Sequence, residues 1–300
     1  MTRPCAAPLP PAGKPLFAVP PGSCDCHTHL LGPYDRHPPN DERGYSAPEA
    51  SSDHLIGLMD SLGLDRAVIV TPTAYGTNNA VLLEALQRHP DRFGGVAVLG
   101  PEATDREIDR LHAAGTRGIR LNLWKRNGVR VWPNGAGMES FDALAPRLAE
   151  RGWHVQIWIN VADLPEILPR LRAVPIDIVI DHMGRIEADK SPADPNFALL
   201  CDLMRNDRFW CKLCGSDRLS LKGAPYHDVV PFARALIEAN PDHVVWGSDW
   251  PHVGYFDDRM PRDRDLLDVV ANWTDDPVVV RKLLADNPAR LYDFPRAAAK

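Results

Sequence analysis

One alternation constrains the fold of this chain more than any other feature. Short apolar, β-branched runs recur along it, and a stretch with helical spacing separates most of them from the next. The strand-like runs span residues 23–30, 66–72, 93–99, 117–123, 154–160, 177–183, 209–215 and 243–250. Between them lie amphipathic patterns such as Asn79-Ala-Val-Leu-Leu-Glu-Ala-Leu-Gln and Asp105-Arg-Glu-Ile-Asp-Arg-Leu-His-Ala-Ala, the latter stopped by Gly115. Near the C-terminus, Asn287 before Pro288 reads as an N-cap. Strand and helix repeated about eight times predict a parallel sheet closed into a single-domain (β/α)8 TIM barrel. An open doubly wound sheet fits less well, because no glycine-rich dinucleotide loop follows the first strand. The barrel is expected over residues 23–300, behind a Pro-rich leader (1–22) that is expected to be extended and poorly packed. The 300 residues are 44% hydrophobic, enough for a sizeable core, and show no internal repeat.

Residues able to do chemistry cluster where such a barrel keeps its active site, at the C-terminal ends of the strands. Cys24-Asp25-Cys26-His27-Thr28-His29 ends the first strand, and side chains two apart share a face, so His27 and His29 converge. Strand six ends with His182 and Arg185, and strand eight with Asp249. An acid directly after an apolar strand is costly to bury unless it is paired or working. Three imidazoles and an aspartate at one rim therefore point to a functional site, with Asp249 placed to take a proton from an attacking water. Arg120, Arg126, Arg185 and Arg218 follow strands four, six and seven, and guanidinium groups bind carboxylates at two points. The expected partner is thus a small anionic molecule. With a net charge of −6, no general basic field serves nucleic acid or a membrane surface. The N-terminus lacks a signal-peptide core, and no run approaches a spanning helix, so a cytoplasmic protein is expected. The six cysteines are read as reduced. Cys211 and Cys214 point to opposite faces of a strand, Cys24 and Cys26 read as core, His252 as a surface residue, and 257–265 as a solvated loop.

The phrases Cys24-Asp-Cys-His-Thr-His, Gly118-Ile-Arg-Leu-Asn-Leu, Val179-Ile-Asp-His-Met-Gly-Arg, Trp246-Gly-Ser-Asp-Trp-Pro-His and Asn287-Pro-Ala-Arg-Leu-Tyr, in this order, resemble the amidohydrolase superfamily. They are most similar to its 2-pyrone-4,6-dicarboxylate lactonase group. The resemblance implies a hydrolase that opens a small carboxylated lactone, pyrone-like or muconolactone-like, in the catabolism of aromatic compounds. It assigns Asp249 to water activation, His27, His29 and His182 to the oxyanion, and the four arginines with Thr73 and Tyr75 to substrate carboxylates. It also implies that no cofactor is required. Metal-dependent members usually carry Lys or Glu on strand four and His on strand five, where this chain offers Arg120, Asn122, Gln156, Trp158 and Asn160. A binuclear centre is therefore not expected, whereas one zinc or other divalent ion on His27, His29 and Asp249, with His182 as a fourth ligand, remains an alternative. Trp158 stands where the pyrone lactonases carry tyrosine, which brings in a sulfonated muconolactone opened with one zinc. A metal-dependent decarboxylase of the same superfamily is a further alternative. A non-catalytic barrel that binds small acids is the reading from another class, and the presence of Asp249 argues against it. A monomer or small homo-oligomer is expected.

Overall fold

A computed structural model describes residues 2–132, 134–257 and 259–295. Eight parallel strands follow one another around a barrel: β1 (Cys24–Thr28), β2 (Arg66–Val70), β3 (Phe93–Ala97), β4 (Thr116–Asn122), β5 (His154–Trp158), β6 (Asp177–Ile180), β7 (Phe209–Leu213) and β8 (Val244–Trp246). Each lies within a run expected from the sequence or overlaps it closely. The ring closes beyond the ends of its first and last strands. There the Asp249 amide donates to the His27 carbonyl (2.9 Å) and the His29 amide donates to the Trp250 carbonyl (2.8 Å).

Seven connecting helices face the strands with apolar stripes: α1 (Ser52–Leu62), α2 (Ala80–Arg88), α3 (Asp105–Ala113), α4 (Met138–Ala149), α5 (Leu164–Arg172), α6 (Pro195–Asn206) and α7 (Val230–Ala239). Their ends follow from local chemistry. Ser51 accepts from the His54 amide and Gly63 ends α1 at φ 71°, while Thr104 caps α3. Asn287 is not the expected N-cap. Its φ of −66° is helical, the helix runs into it from Lys282, and its side-chain amide donates to the Pro241 and Val244 carbonyls instead.

Two apolar clusters hold the fold together. The larger lies between strands and helices. The smaller joins Cys24, Cys26, Val68, Val70, Val96, Val179 and Val245 to Tyr292 and Phe294 from the C-terminal segment. A β-carbon on Gly94 would stand 2.9 Å from the Phe294 ring, and Tyr292 meets His154 edge-on at 5.2 Å. These rings close the N-terminal end of the barrel, which leaves the chemistry to the opposite mouth. The pairing of β1 with β2 shifts register between Asp25 and Thr28, so strict alternation does not apply across His27.

The leader departs from expectation. Arg3–Pro4 pairs in parallel with Tyr45–Ser46, the Ala6 amide donates to the Tyr255 carbonyl (2.8 Å), and Cys5 is buried. It docks because loops around the mouth offer free backbone groups, which composition alone does not reveal.

Candidate active site

The floor of the mouth is a buried polar layer. His27, Gln156, Asp181 and Lys212 are fully buried and Arg120 nearly so. The Lys212 ammonium donates to Gln156 Oε1 (2.7 Å), faces His27 Nδ1 (3.2 Å) and lies 3.5 Å from Asp181 Oδ1. Arg120 Nε and Gln156 Nε2 donate to Asp181 Oδ2 (3.1 and 3.0 Å). Burial pushes the Asp181 carboxyl up, but Lys212, His27 and Arg120 outweigh it and hold the group well below its ordinary range. Burial, reinforced by Lys212, keeps His27 neutral, and burial pushes His182 down to about 3.

Above this layer, Asp249 Oδ1 lies 3.6 Å from His27 Nε2 and 3.5 Å from His29 Nε2. The Val70 carbonyl places a hydrogen on His29 Nδ1 (2.7 Å), so in the neutral ring Nε2 presents the lone pair. His27 has two options. If Nδ1 accepts from Lys212, Nε2 carries a hydrogen; if Nδ1 donates to Asp181, 3.5 Å away, Nε2 presents a lone pair. His27 Nε2 has no hydrogen-bond partner among the described residues. The second tautomer suits a metal. The spacings of 3.5 and 3.6 Å approach the edge of a tetrahedron around an ion with ligands at about 2.1 Å, roughly 3.4 Å. His27, His29 and Asp249 therefore fit one divalent ion. His182 groups instead with His27 and Asp181, and its Nδ1 lies 3.2 Å from Cys214 Sγ, so it is not a member of that triad.

The arginines divide by partner. Arg218 Nε donates to Asp249 Oδ2 (2.6 Å) and its Nη2 to the Val253 carbonyl (3.0 Å), so its guanidinium is engaged by Asp249. Arg120 is likewise tied to Asp181. Arg185 has no carboxylate partner among the described residues. It lies over the Trp124 ring (4.0 Å) and beside Trp158 (5.8 Å), and burial, then Arg218, lower it to about 10. Arg126 is exposed at the rim, 5.2 Å from the Trp124 ring. The cavity, about 1170 Å³, is lined by His29, Thr73, Arg120, Arg126, His182, Arg185, Arg218 and Asp249 among others. Among the described residues, eight Arg or Lys side chains border it against four Asp.

Tyr75 does not line this cavity. Its hydroxyl accepts from the Gly32 amide (2.8 Å) and faces the His37 carbonyl, so it braces a loop. His252 is not at the surface either: fully buried, it pairs with Asp263 (2.9 Å), which also removes Asp263 from the expected solvated loop. Residues missed from the sequence are Asp181, Lys212, Gln156, Tyr45, Trp124 and Trp132. Asp181 beside His182 carried a signal of the same kind as Asp249; the others carried none. Strain also collects here, since Trp132, His182, Arg185, Tyr226 and Asp249 have positive φ and all line the cavity.

Residues 24–294 match the amidohydrolase family. A 2-pyrone-4,6-dicarboxylate hydrolase of Comamonas testosteroni is 39% identical over 288 residues, covering 93% of this chain and 92% of that protein. A 4-sulfomuconolactone hydrolase of Rhizobium radiobacter is 37% identical over 290 residues, covering 96% of each. Among solved structures, a probable 2-pyrone-4,6-dicarboxylic acid hydrolase of Acinetobacter baumannii with citric acid bound superposes with a TM-score of 0.76 at 27% identity, covering 91% of this chain and 100% of that one.

Proposed function

The chain belongs to the amidohydrolase family, and from that premise we propose that it is a lactonase, opening a small lactone that carries acidic groups by attack of water on the ring ester. The observation that carries this reading is Asp249, an ionised carboxylate 3.5–3.6 Å from the imidazole nitrogens of His27 and His29 in a cation-lined cavity.

Asp249 Oδ1 and the His29 Nε2 lone pair both accept, so one water between them is oriented by two bonds. Asp249 takes its proton as the oxygen attacks the carbonyl. The oxyanion then forms beside His27 and His182, and His27 in its Nε2–H tautomer donates to it. Collapse breaks the ring C–O bond, and the proton on Asp249 passes to the leaving oxygen. A divalent ion held by His27, His29 and Asp249 would polarise the carbonyl and acidify the water. Arg185, with no acid of its own, receives a substrate anion, aided by Arg126 and the free edge of Arg120. The Acinetobacter protein was solved with citric acid, a small polyanion, bound. All six cysteines are unpaired, in keeping with the reducing cytoplasm as the site of action.

A sulfonated lactone is the second reading. Trp158 contributes no hydroxyl, its indole N–H has no acceptor among the described residues, and the Rhizobium relative is named for such a substrate. The test is ring opening of carboxylated and sulfonated lactones by protein of known metal content, before and after chelation. Turnover of one class identifies the substrate group, and activity that is lost with the ion and restored by it assigns the ion to the reaction. An intact, folded protein that opens no lactone in either state would sink the reading.

A further inference from the structure

The hairpin after β4 crosses the mouth of the cavity. Lys125–Arg126 and Val129–Arg130 pair antiparallel, and the Val131 amide donates to the Trp124 carbonyl (2.9 Å). Beyond it, Asn122 Nδ2 donates to the carbonyls of Val131 and Trp132, both at 2.8 Å. Trp132 has φ 58°, a conformation that a bulky residue adopts only when its surroundings impose it. Its indole ends in a slot between two glycines of other loops. A β-carbon on Gly44, in the loop after β1, would overlap indole Cδ1 and Nε1, and one on Gly254, after β8, would stand 3.3 Å from Cη2. The Tyr45 ring meets the indole edge-on at 5.1 Å, and Trp158 packs on it at 5.4 Å. Trp158 in turn stands 6.3 Å from His182. Trp132 thus joins the loop after β4 to those of the two strands that carry His27, His29 and Asp249.

We propose that Trp132 is a specificity-determining residue, locked in a socket formed by Gly44 and Gly254. There it completes, with Trp124 and Trp158, an aromatic wall in which Trp124 and Trp132 are tilted 47° and 33° to Trp158 and which favours small planar lactones over those bearing a bulky ring substituent. The proposal rests on the lactonase reading. One loop presents glycine where a β-carbon would overlap the indole, and a second presents glycine where a β-carbon would press on it at 3.3 Å, which is what a socket requires. The wall is made of indole rings, against which a planar unsaturated ring packs and a bulky substituent clashes.

The test uses the full chain as wild type, Gly44→Ala, Trp132→Ala and the double variant. Gly44 is exposed and lies outside the left-handed region, so alanine adds only a methyl group. Two quantities are read: the ratio of kcat/KM for a planar pyrone dicarboxylate to that for an aryl-substituted lactone acid, and amide hydrogen exchange across residues 124–132. Either single substitution is expected to lower the ratio about tenfold and speed exchange in the hairpin, with the double variant no worse than Trp132→Ala. A Gly44→Ala protein that matches wild type in exchange overturns the socket. Additive effects of the two substitutions, or equal losses on both substrates, overturn the selectivity. A wild type that opens neither lactone removes the lactonase reading and the selectivity with it, while exchange still judges the socket.

Discussion

Asp249 answers two opposed demands. A base gains from high proton affinity, and burial pushes this carboxyl up, yet Arg218 and the surrounding imidazoles hold it well below its ordinary range. It therefore stays charged throughout the stable range of the protein. We expect no acid limb from Asp249 in kcat/KM down to about pH 5, because its carboxylate keeps its charge there. Arg218→Met removes the main opposing charge, so the Asp249 pKa rises and activity is lost at higher pH as acid is added. A pH–rate profile with no new acid limb in that variant would deny Arg218 this role. Asp249→Asn keeps the shape and removes the base, and turnover should fall about 10²–10⁴-fold with an unchanged circular dichroism spectrum. Arg185→Met should raise KM for anionic lactones at least about tenfold and change kcat less, as steady-state kinetics would show. The sequence made His27, His29, His182 and Asp249 legible because each ends an apolar strand with a residue that strands do not need. Lys212 and Gln156 were hidden because their meaning lies in partners on other strands. The contact of Arg218 with Asp249 was hidden because nothing local shows that this acid lies 31 residues further on.

The eight strands could be read because apolar runs and helix stops are local properties. What could not be read is where elements approach one another. Gly247 illustrates this: a β-carbon there would lie 2.7 Å from His27 Cβ and 2.8 Å from its amide nitrogen. Gly247→Ala should push β8 from β1 and lower stability by about 1–3 kcal/mol in urea unfolding, with activity lost beyond that because His27 moves. Asp25 binds the same two elements, accepting from the His27 and Ser248 amides (3.1 and 2.9 Å). Burial raises its carboxyl to about 7 against these bonds. The folded state then holds this proton more tightly than the unfolded chain, so its contribution to stability falls as pH rises from about 4 to about 7. Asp25→Asn should flatten that slope, and midpoints of unfolding at several pH values would show whether it does. The leader was misjudged for a related reason, since its prolines describe its stiffness and not the loops that receive it.

For the whole molecule, charge is arranged against the average. A chain of net charge −6 lines its barrel mouth, among the described residues, with eight Arg or Lys side chains and four Asp. Capture of a dianionic lactone should thus weaken with salt. We expect kcat/KM to fall several-fold between about 0.02 and about 0.5 M sodium chloride, with kcat nearly constant. A salt-independent kcat/KM would mean that the mouth does not draw its substrate in. The closure of the ring has a consequence for how the enzyme comes into being. Ser248 and Asp25 bond across 223 residues, at the seam where His27 and Asp249 also meet. During synthesis the histidines emerge early, and the base reaches them only when the last strand is delivered. A nascent chain that lacks β8 and Asp249 is expected to be inactive, and two fragments cut between these strands are expected to regain activity only by rebuilding the seam.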